Sequence, residues 1–466
     1  MNKAVNKLKH ILASILIVLA LNASTCHIFD ALAENSNNVP KITIVYGQKS
    51  ATFYPEKYKV KSKVFTHQYE AQKFNRSSDI RQKIRMLKLI KSQGWSSYDA
   101  FKFMFAGLNE DIERWLIQNV NTSPQDAKII FRPNNNVKFA IIKEKDGQTA
   151  DIEKLFDDIY QKMLSNVSVR VVVKTLRVPA EITADYLKEE TYLRARFSTD
   201  YSFSSPGRKH NIQLAMKRFD GLVLKPGEIA SFNKIVGPRT AYNGFVEAKI
   251  IMGGRYEQGI GGGVCQASTT IYNAALLADL EIISANNHSL RVNYIEPSFD
   301  AMVNGSWSDL KFRNSTDRNI YIHSYCSQNR VIVEIYGAKM PYRITRHYRI
   351  LSRIASPGSE KILDYEGKYS QYVKYKGQTH VLQPPKDGMI SEGYLRYYNG
   401  DTLIKEVKIR SDHYAPQKGI IVEGVLTPPP PEEQEKKEEK ASEDNFFDLN
   451  KILKGFEDIF RQAHTP

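Results

Sequence analysis

The stretch Gly259-Ile260-Gly261-Gly262-Gly263-Val264-Cys265-Gln266-Ala267-Ser268-Thr269-Thr270 runs a glycine-rich turn into a helix, with a lone cysteine at the junction. Val264, Ala267, Ile271, Ala274, Ala275 and Ala278 recur at three- and four-residue steps, the period of a helix. The glycines ahead of it let the backbone take positive φ and let another segment come close. Ser268, Thr269 and Thr270 are weak helix formers suited to a first turn. A thiol at such a helix start faces unpaired main-chain N–H groups and the positive end of the helix dipole. Both favour the thiolate, the form that attacks a carbonyl carbon. The plain alternative is a small buried thiol, packed where glycines allow two segments to cross.

A cysteine nucleophile needs a base or cationic partner and a group that orients it. Asn286-Asn287-His288-Ser289 is the best source. It follows the helix across strand-like residues 280–284, and a helix–loop return of that size can bring His288 back near the helix start. His288 would pair with Cys265 as imidazolium and thiolate, and later protonate a leaving amine. His210 and His323 are weaker alternatives. Asp300 and Asp309 are candidate orienting acids, although turn-stabilising or capping roles explain either as well. Main-chain N–H groups from Gly263 to Gln266 are candidates for stabilising a tetrahedral oxyanion, with the Gln266 side chain as a further donor. Gly263, Gln266, Arg239 and Ser268 are the expected substrate-binding residues, Arg239 and Lys249 as cations that would grip an acidic peptide. No Cys-x-x-Cys, His-x-His or His-Glu-x-x-His spacing occurs, and the glycine cluster lacks the spacing of a phosphate loop or dinucleotide fingerprint. The expectation is no metal and no cofactor.

The N-terminus gives the compartment. Lys3, Lys7 and Lys9 precede an apolar run over residues 11–20, and Ala31-Leu32-Ala33 stands before Glu34. This predicts a secretory signal cleaved after Ala33, or a membrane anchor if it stays uncleaved. Of the 3 cysteines, Cys26 leaves with that signal, so Cys265 and Cys326 remain. An exported protein often pairs its cysteines, which keeps a Cys265–Cys326 disulfide open as a structural explanation. The net charge of +15 suits polyanionic surroundings such as wall polymers or an anionic membrane face. Nucleic acid is not an expected partner: no recognition motif is present, and export argues against it.

The 466 residues suggest several domains. Residues 41–46 read as a strand, 77–120 as helical, 138–142 as a strand, 151–163 as a helix and 167–175 as a strand. From residue 196 to 337 the texture changes to short strands and turns, with helices at 211–219 and after Cys265. Residues 310–314, 319–325 and 330–336 read as antiparallel strands. Another strand-rich unit spans 341–426, with a hairpin turn at Tyr398-Asn399-Gly400-Asp401. A Pro/Glu/Lys linker follows, and then an amphipathic helix whose apolar face calls for a membrane surface, a protein partner or the protein's own body. The expected class is α+β and multidomain: a mixed α/β N-terminal region, an α+β domain with the cysteine at a helix N-terminus, and a small β-rich domain.

Residues 196–337 resemble the VanW domain family. The matching stretches are Phe197-Ser198-Thr199, His210-Asn211-Ile212, Lys225-Pro226-Gly227-Glu228, Phe232-Asn233, Val236-Gly237-Pro238-Arg239, Asn243-Gly244-Phe245, Gly261-Gly262-Gly263-Val264-Cys265-Gln266, Tyr272-Asn273-Ala274, His288-Ser289, Asp300-Ala301 and Asp309-Leu310-Lys311-Phe312. The resemblance implies work on the cell wall. Some VanW-domain proteins act as L,D-transpeptidases that join peptidoglycan stems through 3-3 cross-links using a cysteine. It thereby implies Cys265 as nucleophile, His288 as its partner, and stem peptides and glycan as partners. Residues 134–191, with Lys143-Glu144-Lys145-Asp146-Gly147, are similar to a peptidoglycan-binding domain found ahead of VanW domains. Tyr397-Tyr398-Asn399-Gly400 and Ile420-Ile421-Val422-Glu423-Gly424 resemble the end of the G-five accessory domain of wall-associated proteins. The expected organisation is a signal at 1–33, an N-terminal region at 34–192, a VanW domain at 193–340, a G-five-like domain at 341–427, a linker at 428–445 and a helix at 446–466. A hydrolase using the same residues and a non-catalytic wall-binding scaffold are the rival readings.

Overall fold

The computed structural model describes residues 39–59, 80–252, 255–305 and 307–427. The expected signal, linker and C-terminal amphipathic helix lie outside the described residues. Of the described residues, those up to Ile130 together with Phe139–Lys188 form one compact unit, and Phe131–Lys138 with those from Glu189 to residue 427 form another.

In the first unit the helical region divides into Ile80–Ser92, Ser97–Met104 and Leu108–Asn119. The breaks fall where sequence chemistry demands them. Ser96 caps the second helix by accepting from the Asp99 N–H, and Gly107 enters the third at φ +93. Ile42–Tyr46 is the middle strand of a three-stranded sheet, antiparallel to Lys49–Phe53 and parallel to Val169–Val172. Asp151 caps the helix Ile152–Met163 through the Lys154 N–H. The apolar stripe of that helix, Leu155, Phe156 and Ile159, is buried with Ile42, Ile44 and Phe101. The strand expected at 167–175 stops at Val172, and a new one, Thr175–Val178, pairs with Gly147–Ala150.

The second unit is built on a four-stranded antiparallel sheet in the order Tyr192–Asp200, Arg330–Gly337, Ile320–Ser327, Leu222–Leu224. Helices Pro206–Phe219 and Val264–Leu277 pack on it, and Ile212, Met216, Phe219, Ala267, Ile271, Ile322 and Val333 share one core. The first of these helices starts ahead of the expected residue 211. Ser205 accepts from the Arg208 N–H as N-cap and Pro206 takes the first turn, so the polar Arg208-Lys209-His210 run is helical despite carrying no apolar period. Beyond the sheet, Arg343–Ile354, Gly388–Asn399 and Thr402–Tyr414 form a long antiparallel sheet whose hairpin turns at Gly400, φ +56. Ser359–Leu363, Gly419–Glu423 and Thr379–Gln383 form a smaller mixed sheet. The architecture is α+β.

Candidate active site

Cys265 is the second residue of the helix Val264–Leu277, and Gly263 is the N-cap with φ +104. A side chain there is excluded twice. The backbone is in a region that L residues rarely adopt, and a Cβ would sit 2.7 Å from Arg208 Cγ. Gly262 lies against the Ala248 carbonyl, where a Cβ would also collide with main chain. Asn211, fully buried, donates through Nδ2 to the carbonyls of Gly262 and Val246, which pins the turn to the neighbouring helix. Gly263→Ala is expected to destabilise the unit by about 2–4 kcal/mol, from left-handed strain plus overpacking. A lower urea midpoint checks this, and slower alkylation of Cys265 should accompany it.

The helix is buried almost all round, so its polar residues need partners inside the protein. They find them in the segment that carries Asp300. Ser268 Oγ donates to the Ala301 carbonyl at 2.6 Å, Thr269 Oγ1 accepts from the Ala301 N–H at 3.0 Å, and Asn273 Nδ2 donates to the Phe299 carbonyl at 2.7 Å. These bonds fix Asp300 alongside the cysteine helix. The return strand Glu281–Ser284 then leads to an antiparallel bridge of Asn286 with Met302. That bridge sets His288 opposite Asp300. Asp300 Oδ2 accepts from the His288 main-chain N–H at 2.7 Å and bonds ring Nδ1 at 2.6 Å. Nε2 is left for the thiol. Asp300 is 1% exposed and His288 6% exposed, while Cys265 is only half-buried.

Electrostatics follow from this placement. Burial pushes the Cys265 thiol up, but His288, the Val303 main chain and the Arg239 guanidinium together hold it below its ordinary value. Burial disfavours the His288 cation; its bond to Asp300 and its interaction with Cys265 overcome that and push it up to about 9. Burial likewise opposes ionisation of Asp300, yet His288, Arg410 and Tyr414 hold its carboxyl below the usual carboxylate range. The shifts of thiol and imidazole run in the directions of a thiolate–imidazolium pair. As a neutral thiol, Cys265 donates to the Val303 carbonyl at 3.3 Å. Such contacts commonly tighten toward the base only when substrate is bound.

A family profile described as VanW like protein matches residues 207–336. Uncharacterized protein YoaR of Bacillus subtilis (strain 168) is 32% identical over 220 residues, 46% of this chain and 72% of that protein. The chain belongs to the VanW-like family. Vancomycin B-type resistance protein VanW of Enterococcus faecalis (strain ATCC 700802 / V583) is 28% identical over 170 residues, 35% of this chain and 58% of that protein. Among solved structures, the IgA1 protease G5 domain aligns with 19% of this chain and 94% of its own at 14% identity and a TM-score of 0.12. The HP0197-G5 structure aligns with 18% and 99% at 19% identity and a TM-score of 0.09. Likeness at those scores carries no argument.

Within the VanW-like region the other anticipated residues divide sharply. Gln266 is buried, and its Nε2 donates to Thr199 Oγ1 and the Asp200 carbonyl while Oε1 accepts from Arg208. Ser268 is buried and donates to the Cys265 and Ala301 carbonyls. Neither side chain has a donor left over, because a buried helix face consumes its own polar groups. The Gln266 main-chain N–H is also taken, by the Gly263 carbonyl, whereas the Cys265 N–H has no partner among the described residues. Arg239 behaves differently. Its Nη2 donates to Asn233 Oδ1, its guanidinium lies over Phe232, and its buried Nε has no hydrogen-bond partner among the described residues.

His210 bonds the Gly244 carbonyl, and His323 bonds Asp220 and stacks on Tyr325, so both serve elsewhere. Asp309 accepts from Ser231 and from the Asn233 N–H at the start of helix Phe232–Val236, a capping role. Cys265 and Cys326 are both free thiols. Burial pushes Cys326 up to about 11, so it is a poor nucleophile. Tyr294, Arg410 and Tyr414 escaped the sequence reading. Tyr294 titrates well above its usual value through burial and then the charges of Cys265 and Asp300, and no spacing rule points to it.

Proposed function

We propose that this protein is an exported peptidoglycan-modifying enzyme, an L,D-transpeptidase that works through a Cys265 thioester. The observation that carries the reading is the chain of contacts from a helix-start thiol to His288 and from His288 to buried Asp300. Family membership and the name of the vancomycin-resistance relative support a wall substrate. The Cys265 thiolate attacks the carbonyl carbon of the third residue of a donor tetrapeptide stem. The C–S bond forms, the C–N bond to the terminal D-alanine breaks, and the His288 imidazolium gives its proton to the departing amine. A side-chain amine of an acceptor stem then attacks the thioester, His288 takes the proton from that nitrogen, and Cys265 is released. Asp300 orients the ring throughout. The free Cys265 N–H and the unpartnered Arg239 Nε are the donors we assign to the oxyanion or to a stem carboxylate. A buried unsatisfied guanidinium N–H beside a nucleophile fits a site completed by an anionic ligand.

We assign residues 193–340 to the catalytic domain, and 134–191 and 341–427 to flanking wall-binding regions. Purified disaccharide-tetrapeptide incubated with the full chain should yield a 3-3 linked dimer and free D-alanine by mass spectrometry. Tripeptide monomer without dimer would make water the acceptor and the protein an L,D-carboxypeptidase. Neither product, together with a Cys265 inert to a thiol probe, would sink both enzyme readings and leave a wall-binding scaffold.

A further inference from the structure

We propose that Arg410 and Tyr414, on the distant strand Thr402–Tyr414, are positioning residues that hold Asp300 for its work on His288. The proposal rests on reading Cys265, His288 and Asp300 as a reacting set. The two oxygens of the Asp300 carboxylate face different partners. Oδ2 receives both His288 donors, while Oδ1 accepts the Tyr414 hydroxyl at 2.6 Å and Arg410 Nη2 at 3.0 Å. A carboxylate this buried requires a counter-charge, and His288 supplies one only while it is protonated. Arg410 supplies it permanently.

Arg410 is itself fixed by Asp412 at 2.6 Å and lies over the Tyr272 ring, whereas Tyr414 also accepts the Ser298 N–H at 2.8 Å. The paired strand Gly388–Asn399 packs closely on the same segment: a Cβ at Gly393 would meet the Ser298 carbonyl at 2.9 Å, and Ser298 and Ser391 share a hydroxyl bond of 2.8 Å. The end of Thr402–Tyr414 also reaches the base. The Asn287 side chain donates to the His413 carbonyl, and the Ala415 N–H donates to the Ser289 carbonyl. One strand end therefore grips both the acid and the loop that bears the histidine. Packing alone would be served as well by apolar side chains; a guanidinium and a phenol on one carboxylate oxygen are chemistry chosen for an anion.

The sign of the effect is fixed by charge. The reactive state, with thiolate, imidazolium and carboxylate, carries one negative charge more than the state that has taken up a proton. A nearby cation therefore lowers the pH at which reactivity appears, and its removal raises that pH. The other charged or titratable groups around the site are Arg239, Arg208 and Tyr294 near Cys265, and Tyr272 and Asp412 near Arg410. These side chains are the same in every variant, and Arg410→Lys keeps a cation beside Asp412, which loses its partner in Arg410→Gln.

The test is the rate of iodoacetamide alkylation of Cys265 in the full chain as a function of pH, read by peptide mass so that Cys326 is scored separately. Arg410→Gln should move the midpoint of the acid limb up by about one unit. Tyr414→Phe should move it the same way by less, and Arg410→Lys should bring it back toward wild type. An unmoved midpoint in Arg410→Gln, with a native circular dichroism spectrum, would overturn the proposal. If Arg410→Gln does not fold, Tyr414→Phe decides alone by the same criterion. Because no turnover is measured, a protein that makes no 3-3 dimer can still show the shift, and failure of the wall-chemistry reading is distinguished from failure of this one.

Discussion

Cys265→Ala should abolish 3-3 dimer formation, by at least about 10⁴-fold, while leaving the fold in place. The size follows from the role. With no sulfur there is no acyl-enzyme, and the remaining donors can only orient a stem for attack by an amine that no group has activated. Preservation of the fold follows from the surroundings. Cys265 is half-buried and donates only a weak thiol bond to the Val303 carbonyl, so its loss removes little packing. Cys265→Ser should be nearly as inactive, since a serine hydroxyl titrates far above a cysteine thiol. Intact-protein mass spectrometry supplies the complementary reading. Wild type quenched during turnover should carry the mass of a tripeptide acyl group, and neither variant should. Undiminished dimer from Cys265→Ala would remove the thioester from the reaction altogether.

The sequence made the local features legible and hid those made by long-range packing. The glycine turn, the helix behind Cys265 and the return through residues 280–288 were readable because turn and helix chemistry act between neighbours. The polar face of that helix was read differently from what it does. Ser268 and Thr269 look like poor helix formers suited to a first turn, yet they and Asn273, farther along the helix, bond the main chain around Phe299 and Ala301 and so hold Asp300 in place. Gln266 stood next to the cysteine and suggested a substrate donor, but a buried amide is engaged wherever its neighbours offer acceptors, and Thr199 and Asp200 do. Asp300 and Asp309 both lie in turns, and what favours Asp300 as the orienting acid is its bond to His288 beyond the bridge of Asn286 with Met302, whereas Asp309 bonds Ser231 and the Asn233 N–H. Arg410 and Tyr414 could not be linked to the site, since they belong to a strand-rich stretch that composition sets apart, 110 and 114 residues from Asp300.

Asp300→Ala should damage both stability and reactivity, and a second substitution should separate the two. Removing the carboxylate takes from the Arg410 guanidinium, whose side chain is 12% exposed, one of its two buried acidic partners and leaves it Asp412 alone. Breaking a buried pair from one side costs about 3–5 kcal/mol, whereas replacing both members by apolar groups of similar volume is often close to neutral. The double variant Asp300→Leu with Arg410→Met should therefore recover part of the urea midpoint lost in Asp300→Ala, the remainder being withheld because Asp412, 7% exposed, loses its Arg410 partner. It should not recover fast alkylation of Cys265 at low pH, because His288 Nδ1 still has no acceptor to orient it. Wild type provides the pH counterpart. A carboxyl held below its usual value in the folded state stabilises the protein above its unfolded value of about 3.9, and that stabilisation is lost as pH falls through the folded value. Below pH 4 the gap in stability between wild type and the double variant should accordingly shift against wild type. An Asp300→Ala variant as stable as wild type at neutral pH would show that Arg410 is not held by Asp300, and the electrostatic account of the site would fail with it.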